Sequence, residues 1–161
     1  MSKPSLKHPG ILLATWFGSG YITPAPGTWG SAATLPFILC AYWLGGFWAA
    51  CIFTTIVTAI GFWACAEYER RSGEHDCKHV VIDEAAGQSL ALLPVLWFVG
   101  LSPVLIVLAF AFFRLFDILK PWPVCYFDEQ VAGAKGVMLD DIVAGIFAAG
   151  CVMGAIYAGV S

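Results

Sequence analysis

The acidic residues of this chain form three groups that could together bind a metal ion. The groups are Asp83 with Glu84, Asp117 followed by Asp128, and Asp140 with Asp141. Taken alone, an acidic pair at the start of a helix is typical of capping. A carboxylate there accepts hydrogen bonds from free N–H groups and interacts favourably with the positive end of the helix dipole. Brought together, the groups would repel one another unless a hard cation neutralised them. Mg²⁺ prefers such oxygens and completes its shell with water and phosphate, so the groups predict a magnesium site for phosphate chemistry.

Asp117 differs from the other acids because it lies near the C-terminal end of a predicted apolar helix. The helix dipole and the low dielectric constant both disfavour a carboxylate at that place. An ion pair with Arg114, three residues earlier on the same helix face, is the structural explanation. Charged residues in apolar segments are nevertheless functional candidates by default, and we treat Asp117 as one.

Residues that could bind phosphate precede the first long apolar segment. Gly27, Thr28 and Ser31 stand there, where a glycine lets backbone N–H groups approach an anion and a helix N-terminus with hydroxyls can hold phosphate. A capped turn explains the same residues structurally. Arg114 and Lys120 are cations that could bind phosphate or stabilise a leaving oxygen. Lys120 precedes Pro121-Trp122-Pro123, so it could also anchor the chain at a membrane interface.

The elements that position these residues are predicted to be membrane helices. The chain has 161 residues, of which 60% are hydrophobic and 12% are charged, about half the roughly 25% charge of an average soluble domain. We therefore expect a single integral membrane domain over residues 1–161. The net charge of -3, without a basic block, argues against nucleic-acid binding. The six cysteines form no CxxC motif and do not indicate a disulfide framework.

Five apolar segments predict an all-α, polytopic helical bundle, since about 20 apolar residues cross a bilayer. The predicted helices cover residues 28–44, 46–66, 87–99, 102–118 and 141–159. The uncharged stretch 85–113 is long for one span and short for two, and Gly100-Leu101-Ser102-Pro103 is a turn signal near its middle. We therefore expect two short or partly re-entrant helices there.

Five helices with the N-terminus inside place every charged side chain on the cytoplasmic side. The lysines and arginines then satisfy the positive-inside rule, from Lys3 and Lys7 through Lys78 to Lys135. A single span over 85–113 would separate the acidic groups across the membrane. The predicted site therefore requires the chain to turn back near Gly100. The histidines His75 and His79 have a spacing that transition metals use, but a polar connecting loop explains them better.

These residues resemble the phosphatidylglycerophosphatase A family of bacterial membrane lipid phosphatases. The matching motifs, in the family's order, are Gly18-Ser19-Gly20 with Pro26-Gly27-Thr28-x-Gly30-Ser31, Asp83-Glu84-x-x-Gly87, Phe113-Arg114-x-x-Asp117-x-x-Lys120-Pro121-Trp122-Pro123, Phe127-Asp128, and Gly136-x-Met138-x-Asp140-Asp141-Ile142-Val143-Ala144-Gly145. The resemblance implies Mg²⁺-dependent hydrolysis of phosphatidylglycerol phosphate to phosphatidylglycerol and inorganic phosphate. It implies a multi-pass protein of the bacterial inner membrane, with the site facing the cytoplasm.

The resemblance also implies roles for individual residues. The metal ligands would be Asp83, Glu84, Asp117, Asp128, Asp140 and Asp141, among which Glu84, Asp117, Asp140 and Asp141 form the catalytic core. The phosphate ligands would be Gly27, Thr28, Ser31, Arg114 and Lys120. We expect a metal-activated water to attack in line while a carboxylate accepts its proton. A covalent aspartyl-phosphate on Asp117 is the alternative mechanism.

Two other functions fit the composition less well. A CDP-alcohol phosphatidyltransferase-like enzyme also gathers acids around a metal, but its long Asp-x-x-Asp-Gly and Asp-x-x-x-Asp signature is not found here. A small membrane cation transporter would place carboxylates at mid-bilayer depth and on both sides. The acids here stand at helix ends on one side, which favours a surface site over a pore. The sequence leaves the oligomeric state open.

Overall fold

The computed structural model describes residues 6–73 and 77–160, and within these ranges the regular structure is entirely helical. The helices are α1 (Pro9–Ala14), α2 (Pro26–Ser72), α3 (Ile82–Phe98), α4 (Pro103–Leu119), α5 (Val124–Gln130) and α6 (Ala134–Tyr157). The all-α prediction is therefore confirmed. Lys3 of the positive-inside argument and His75 of the polar loop lie outside the described residues.

Helix α2 is a hairpin of two arms rather than one straight rod. Gly45 and Gly46 have non-helical backbone angles, with a φ of +65° at Gly46. The Trp16 ring lies 5.5 Å from the Phe37 ring and 6.4 Å from the Phe53 ring. Along a continuous helix Phe37 and Phe53 would stand about 24 Å apart, at about 1.5 Å per residue. The break therefore folds the arms against each other, as the predicted segments 28–44 and 46–66 require.

The turn between α3 and α4 falls at Gly100, as predicted. Gly100 has a φ of +88°, a left-handed conformation that glycine adopts without strain, and its N–H donates to the Val95 carbonyl at 2.8 Å. The Ser102 hydroxyl accepts from the Leu105 N–H at 3.3 Å, and Pro103 opens α4. Helix α3 starts earlier than predicted, at Ile82, so both Asp83 and Glu84 stand in its first turn.

Helix α3 lies at the centre of the bundle and packs against α2, α4 and α6. Gly87 and Gly145 let α3 and α6 approach backbone to backbone, since a Cβ on Gly145 would lie 2.5 Å from the Gly87 carbonyl oxygen. Each glycine stands one turn after an acidic residue, Asp83 in α3 and Asp141 in α6. The start of α3 therefore lies beside the part of α6 that carries Asp141, and the acidic residues of the two helices come together.

The apolar surface of the bundle fits a membrane protein. Two helices, Pro26–Ser72 and Ala134–Tyr157, are long and apolar enough to cross a membrane. Helices α3 and α4 have 17 residues each, which makes them about 26 Å long at about 1.5 Å per residue. Trp43 is 77% exposed near the Gly45 turn, and Trp122 is 78% exposed after α4. Exposed tryptophans are typical of membrane interfaces. The five-span arrangement stays a prediction.

Candidate metal and phosphate site

One cavity of about 320 Å³ lies where the N-terminal ends of α2, α3 and α6 meet the C-terminal end of α4. Its walls contain all six predicted carboxylates, Asp83, Glu84, Asp117, Asp128, Asp140 and Asp141. Its walls also contain three of the predicted phosphate ligands, Gly27, Arg114 and Lys120. The turn at Gly100 makes this possible, because it returns Arg114 and Asp117 to the end of the bundle where α3 begins.

Three of the acids converge closely enough to hold one metal ion. Asp83, Glu84 and Asp141 each offer a carboxylate oxygen within 4.8 Å of the others. Asp83 Oδ1, Glu84 Oε2 and Asp141 Oδ2 are buried and accept no hydrogen bond from the described part of the chain. Burying a carboxylate oxygen without a partner is costly, and a divalent cation would supply the missing interaction. An all-oxygen donor set suits Mg²⁺, so these residues fit the ion that the sequence predicts.

Unlike the three converging acids, Asp140 and Asp128 form ion pairs with the ammonium group of Lys120. Lys120 Nζ donates to Asp140 Oδ2 at 2.8 Å and also pairs with Asp128. The second oxygen of Asp140 accepts from the Asp141 N–H at 2.9 Å. Burial lowers the pKa of Lys120, but its hydrogen bonds to Asp128 and Asp140 outweigh burial and raise that pKa above the ordinary lysine value. Lys120 is therefore a fixed positive charge in the cavity wall.

Arg114 and Asp117 form a second ion pair, the one expected from their spacing. Arg114 Nη1 lies 2.6 Å from Asp117 Oδ2 and donates to the Ser31 hydroxyl at 3.3 Å. Ser31 is fully buried, and its own proton goes to the Gly27 carbonyl at 2.9 Å. Arg114 Nε is buried and has no hydrogen-bond partner among the described residues. Both contacts use Nη1, so they orient the guanidinium while Nε stays unpaired among the described residues.

Gly27 brings the start of α2 close to both an acid and a cation of the site, Glu84 and Arg114. A Cβ at Gly27 would collide with Glu84 Oε1 and would lie 3.1 Å from both terminal nitrogens of Arg114. Thr28 is half-buried and does not line the cavity, and Ser31 lies behind Arg114 rather than at the cavity surface. The phosphate-binding roles of Gly27, Thr28 and Ser31 stay predictions.

The motif Gly18-Ser19-Gly20 does not line the cavity but supports a loop that does. His79 Nδ1 lies 3.0 Å from the Gly20 carbonyl oxygen, and a Cβ on Gly20 would collide with the His79 carbonyl. The loop at residues 77–81 is thereby fixed beside the start of α3. Its residues Cys77, Lys78 and Val80 line the cavity.

The sequence did not single out two residues of this region as site residues, Lys78 and Gln88. Lys78 was assigned to a polar connecting loop, although its closeness to Asp83 along the chain was a signal that it could reach the site. Gln88 is fully buried one turn after Glu84, and neither of its amide atoms has a hydrogen-bond partner among the described residues. A polar amide within the uncharged stretch 85–113 was the available signal there.

Comparison with known proteins places this arrangement in a family. The sequence model of the family "Phosphatidylglycerophosphatase A" matches residues 12–156. The chain is 42% identical over 148 residues to a phosphatidylglycerophosphatase A of Haemophilus influenzae, covering 92% of this chain and 89% of that protein. It is 34% identical over 157 residues to the phosphatidylglycerophosphatase A of Escherichia coli, covering 92% and 84%. No solved structure matches the chain.

Proposed function

Because this chain belongs to the phosphatidylglycerophosphatase A family and is therefore a phosphatase with a phospholipid substrate, we propose that it removes the terminal phosphate of phosphatidylglycerol phosphate with the help of Mg²⁺. The products are phosphatidylglycerol and inorganic phosphate. This is a step of phospholipid biosynthesis, and we propose that it occurs at the cytoplasmic face of the bacterial inner membrane.

The observation that carries the proposal is the set of three buried carboxylates next to an arginine. Asp83, Glu84 and Asp141 converge within 4.8 Å, and each has an oxygen without a hydrogen-bond donor among the described residues. Arg114 lines the same cavity, and its Nε has no hydrogen-bond partner among the described residues. Acids for a cation and a guanidinium for an anion are the two groups that a metal-dependent phosphatase needs.

Each residue around the cavity would then have a separate role in the transfer of the phosphate to water. Asp83, Glu84 and Asp141 would hold Mg²⁺, which when bound polarises phosphoryl oxygens and lowers the pKa of a coordinated water. Arg114 donates to the oxygens of the terminal phosphate, where negative charge is concentrated. Lys120 remains charged and adds positive potential to the cavity wall beside Asp128 and Asp140.

Asp117 is the carboxylate placed to accept a proton. Its Oδ2 is paired with Arg114, which fixes the direction of the carboxylate in the cavity wall. It can take the proton of the attacking water as general base. The alternative, in which Asp117 itself attacks phosphorus, would leave an aspartyl-phosphate that acid quenching and mass spectrometry can detect.

The one-sided charge distribution supports the proposed membrane placement. The cavity lies at the helix ends from which all charged loops extend, and the opposite turns at Gly46 and Gly100 carry no charge. We propose five spans: the arms of α2, then α3, α4 and α6. The lipid headgroup then lies at the depth of the cavity.

Phosphate release from phosphatidylglycerol phosphate by the purified protein tests the proposal. We expect release that requires Mg²⁺ and falls at least about 10²-fold in Asp141→Asn, since even partners of metal ligands contribute about 10–100-fold. Glu129→Gln is the matched control, because Glu129 is exposed and does not line the cavity. Absence of release from the wild type would refute the function, and full activity in Asp141→Asn would refute the metal site.

A further inference from the structure

The three cations that line the cavity differ in their partners. Arg114 is paired with Asp117, and Lys120 is paired with Asp128 and Asp140. Lys78 lines the same cavity, but no carboxylate of the described residues pairs with it. Since no acid within residues 6–73 and 77–160 neutralises it, Lys78 is available for an anionic ligand at the cavity.

Lys78 also lies at a different depth from the catalytic acids. Asp83 and Asp141 are 7% and 3% exposed and form the floor of the cavity, whereas Lys78 is exposed at its rim. An anion bound by Lys78 would therefore lie closer to the cavity mouth than the phosphate that reaches the acids.

The loop that carries Lys78 is held in place on both sides. The Val81 N–H donates to the Ala14 carbonyl at 2.8 Å, and the Val80 N–H donates to the Cys77 carbonyl at 2.9 Å. The Cys77 thiol donates to the Tyr68 hydroxyl at 3.4 Å, and His79 is held against Gly20. Lys78 thus extends from a fixed backbone, which reduces the entropy lost when its ammonium group binds an anion.

The proposed substrate carries two phosphates at two depths. The terminal phosphomonoester must reach the acids, and a glycerol unit separates it from the phosphodiester that is joined to the diacylglycerol. We propose that Lys78 binds this phosphodiester at the rim and makes the enzyme selective for lipids with a second phosphate. The inference rests on the proposed function, because it needs the monoester at the floor. A lysine suits this role as a point charge that tolerates several orientations of the phosphodiester.

A competing explanation is that Lys78 only offsets the negative potential of the acids. It would then assist every phosphate ligand equally, including inorganic phosphate. The phosphodiester role predicts an effect on ligands with a second phosphate alone. Competitive inhibition by inorganic phosphate therefore separates the two, since this product competes at the acids and a single phosphate cannot span both positions.

The experiment compares Lys78→Gln and Lys78→Arg with the wild type in detergent micelles. In Lys78→Gln we expect kcat/KM for phosphatidylglycerol phosphate to fall about tenfold or more through KM, the size of one charge-assisted hydrogen bond. Inhibition by inorganic phosphate should stay unchanged, and Lys78→Arg should recover most of the loss. Lys135→Gln is the matched control, because Lys135 is exposed and does not line the cavity.

Each other outcome overturns the assignment. An unchanged KM in Lys78→Gln means that Lys78 does not bind the substrate. Equal weakening of substrate turnover and of phosphate inhibition means that Lys78 acts only through the general potential. A wild type that releases no phosphate from phosphatidylglycerol phosphate refutes the proposed function instead, and that result is distinguishable from both.

Discussion

Gly27→Ala is a small substitution that should disable the site without harming the fold. The backbone of Gly27 is in the first turn of α2, where alanine is favoured over glycine by about 1 kcal/mol. The added methyl carbon would collide with Glu84 Oε1, and Arg114 cannot easily make room because Asp117 holds it at 2.6 Å. A carbon–oxygen contact needs about 3.3 Å, so Glu84 must move by about 1 Å.

A displacement of that size should lower the rate of catalysis considerably. A misplacement of about 1 Å costs about 10²-fold in rate, or about 2.7 kcal/mol of transition-state stabilisation. We therefore expect kcat/KM for phosphate release to fall about 10²-fold in Gly27→Ala. The Mg²⁺ concentration for half-maximal activity should rise as well, because Glu84 is a proposed ligand. Both are measured by titrating Mg²⁺ in a phosphate-release assay.

Gly150→Ala provides the control for Gly27→Ala. Gly150 is also a helical glycine, but a Cβ there meets no atom within 4 Å. Its activity should equal that of the wild type, and both variants should melt at or above the wild-type temperature. Wild-type activity and Mg²⁺ dependence in Gly27→Ala would refute the reasoning, because Glu84 would then be free to move without consequence.

Three further predictions address the ion pair, the helix packing and the topology. Lys120→Gln leaves the buried Asp140 without its ammonium partner and should lower the free energy of unfolding by about 2 kcal/mol, and an unchanged denaturation curve would contradict this. Gly145→Leu places a side chain against the Gly87 backbone and should destabilise the α3–α6 contact by about 1–3 kcal/mol, which wild-type melting in detergent would disprove. A variant with Cys77 as its single cysteine should react with an impermeant maleimide in inverted vesicles, whereas labelling in intact cells would reverse the orientation.

The sequence predicted the path of the chain correctly at the turn that is determined by local residue types. Gly100 and Pro103 specify a turn whatever surrounds them, and this turn brings Asp117 to Asp83. Helix boundaries were less accurate because polar residues at helix ends are compatible with either helix or loop. Helix α2, for example, continues to Ser72, whereas its second arm was predicted to end at residue 66. The short helices α1 and α5 have too few turns to show a periodic pattern and were not predicted.

The sequence predicted which acidic residues form the site, but it did not predict which of them pair with a cation. Grouping at predicted helix ends, together with the family resemblance, identified the six acids that line the cavity. Which of them pair with a cation depends on side-chain packing, and only the structure separates the Lys120-bound Asp140 from the unpaired Asp141. Lys78 was assigned to a polar connecting loop, and its place at the cavity depends on tertiary contacts of that loop, such as His79 with Gly20.

Binding of Mn²⁺ as a spectroscopic substitute for Mg²⁺ tests the central claim most directly, since both ions prefer carboxylate oxygens. Electron paramagnetic resonance of the purified protein in detergent measures free and bound Mn²⁺ without reference to activity. We predict tight binding by the wild type and by Glu129→Gln, competition by Mg²⁺, and loss of binding in Asp141→Asn and Glu84→Gln. Equal Mn²⁺ binding by the wild type and Asp141→Asn would contradict the claim that the converging carboxylates hold the ion.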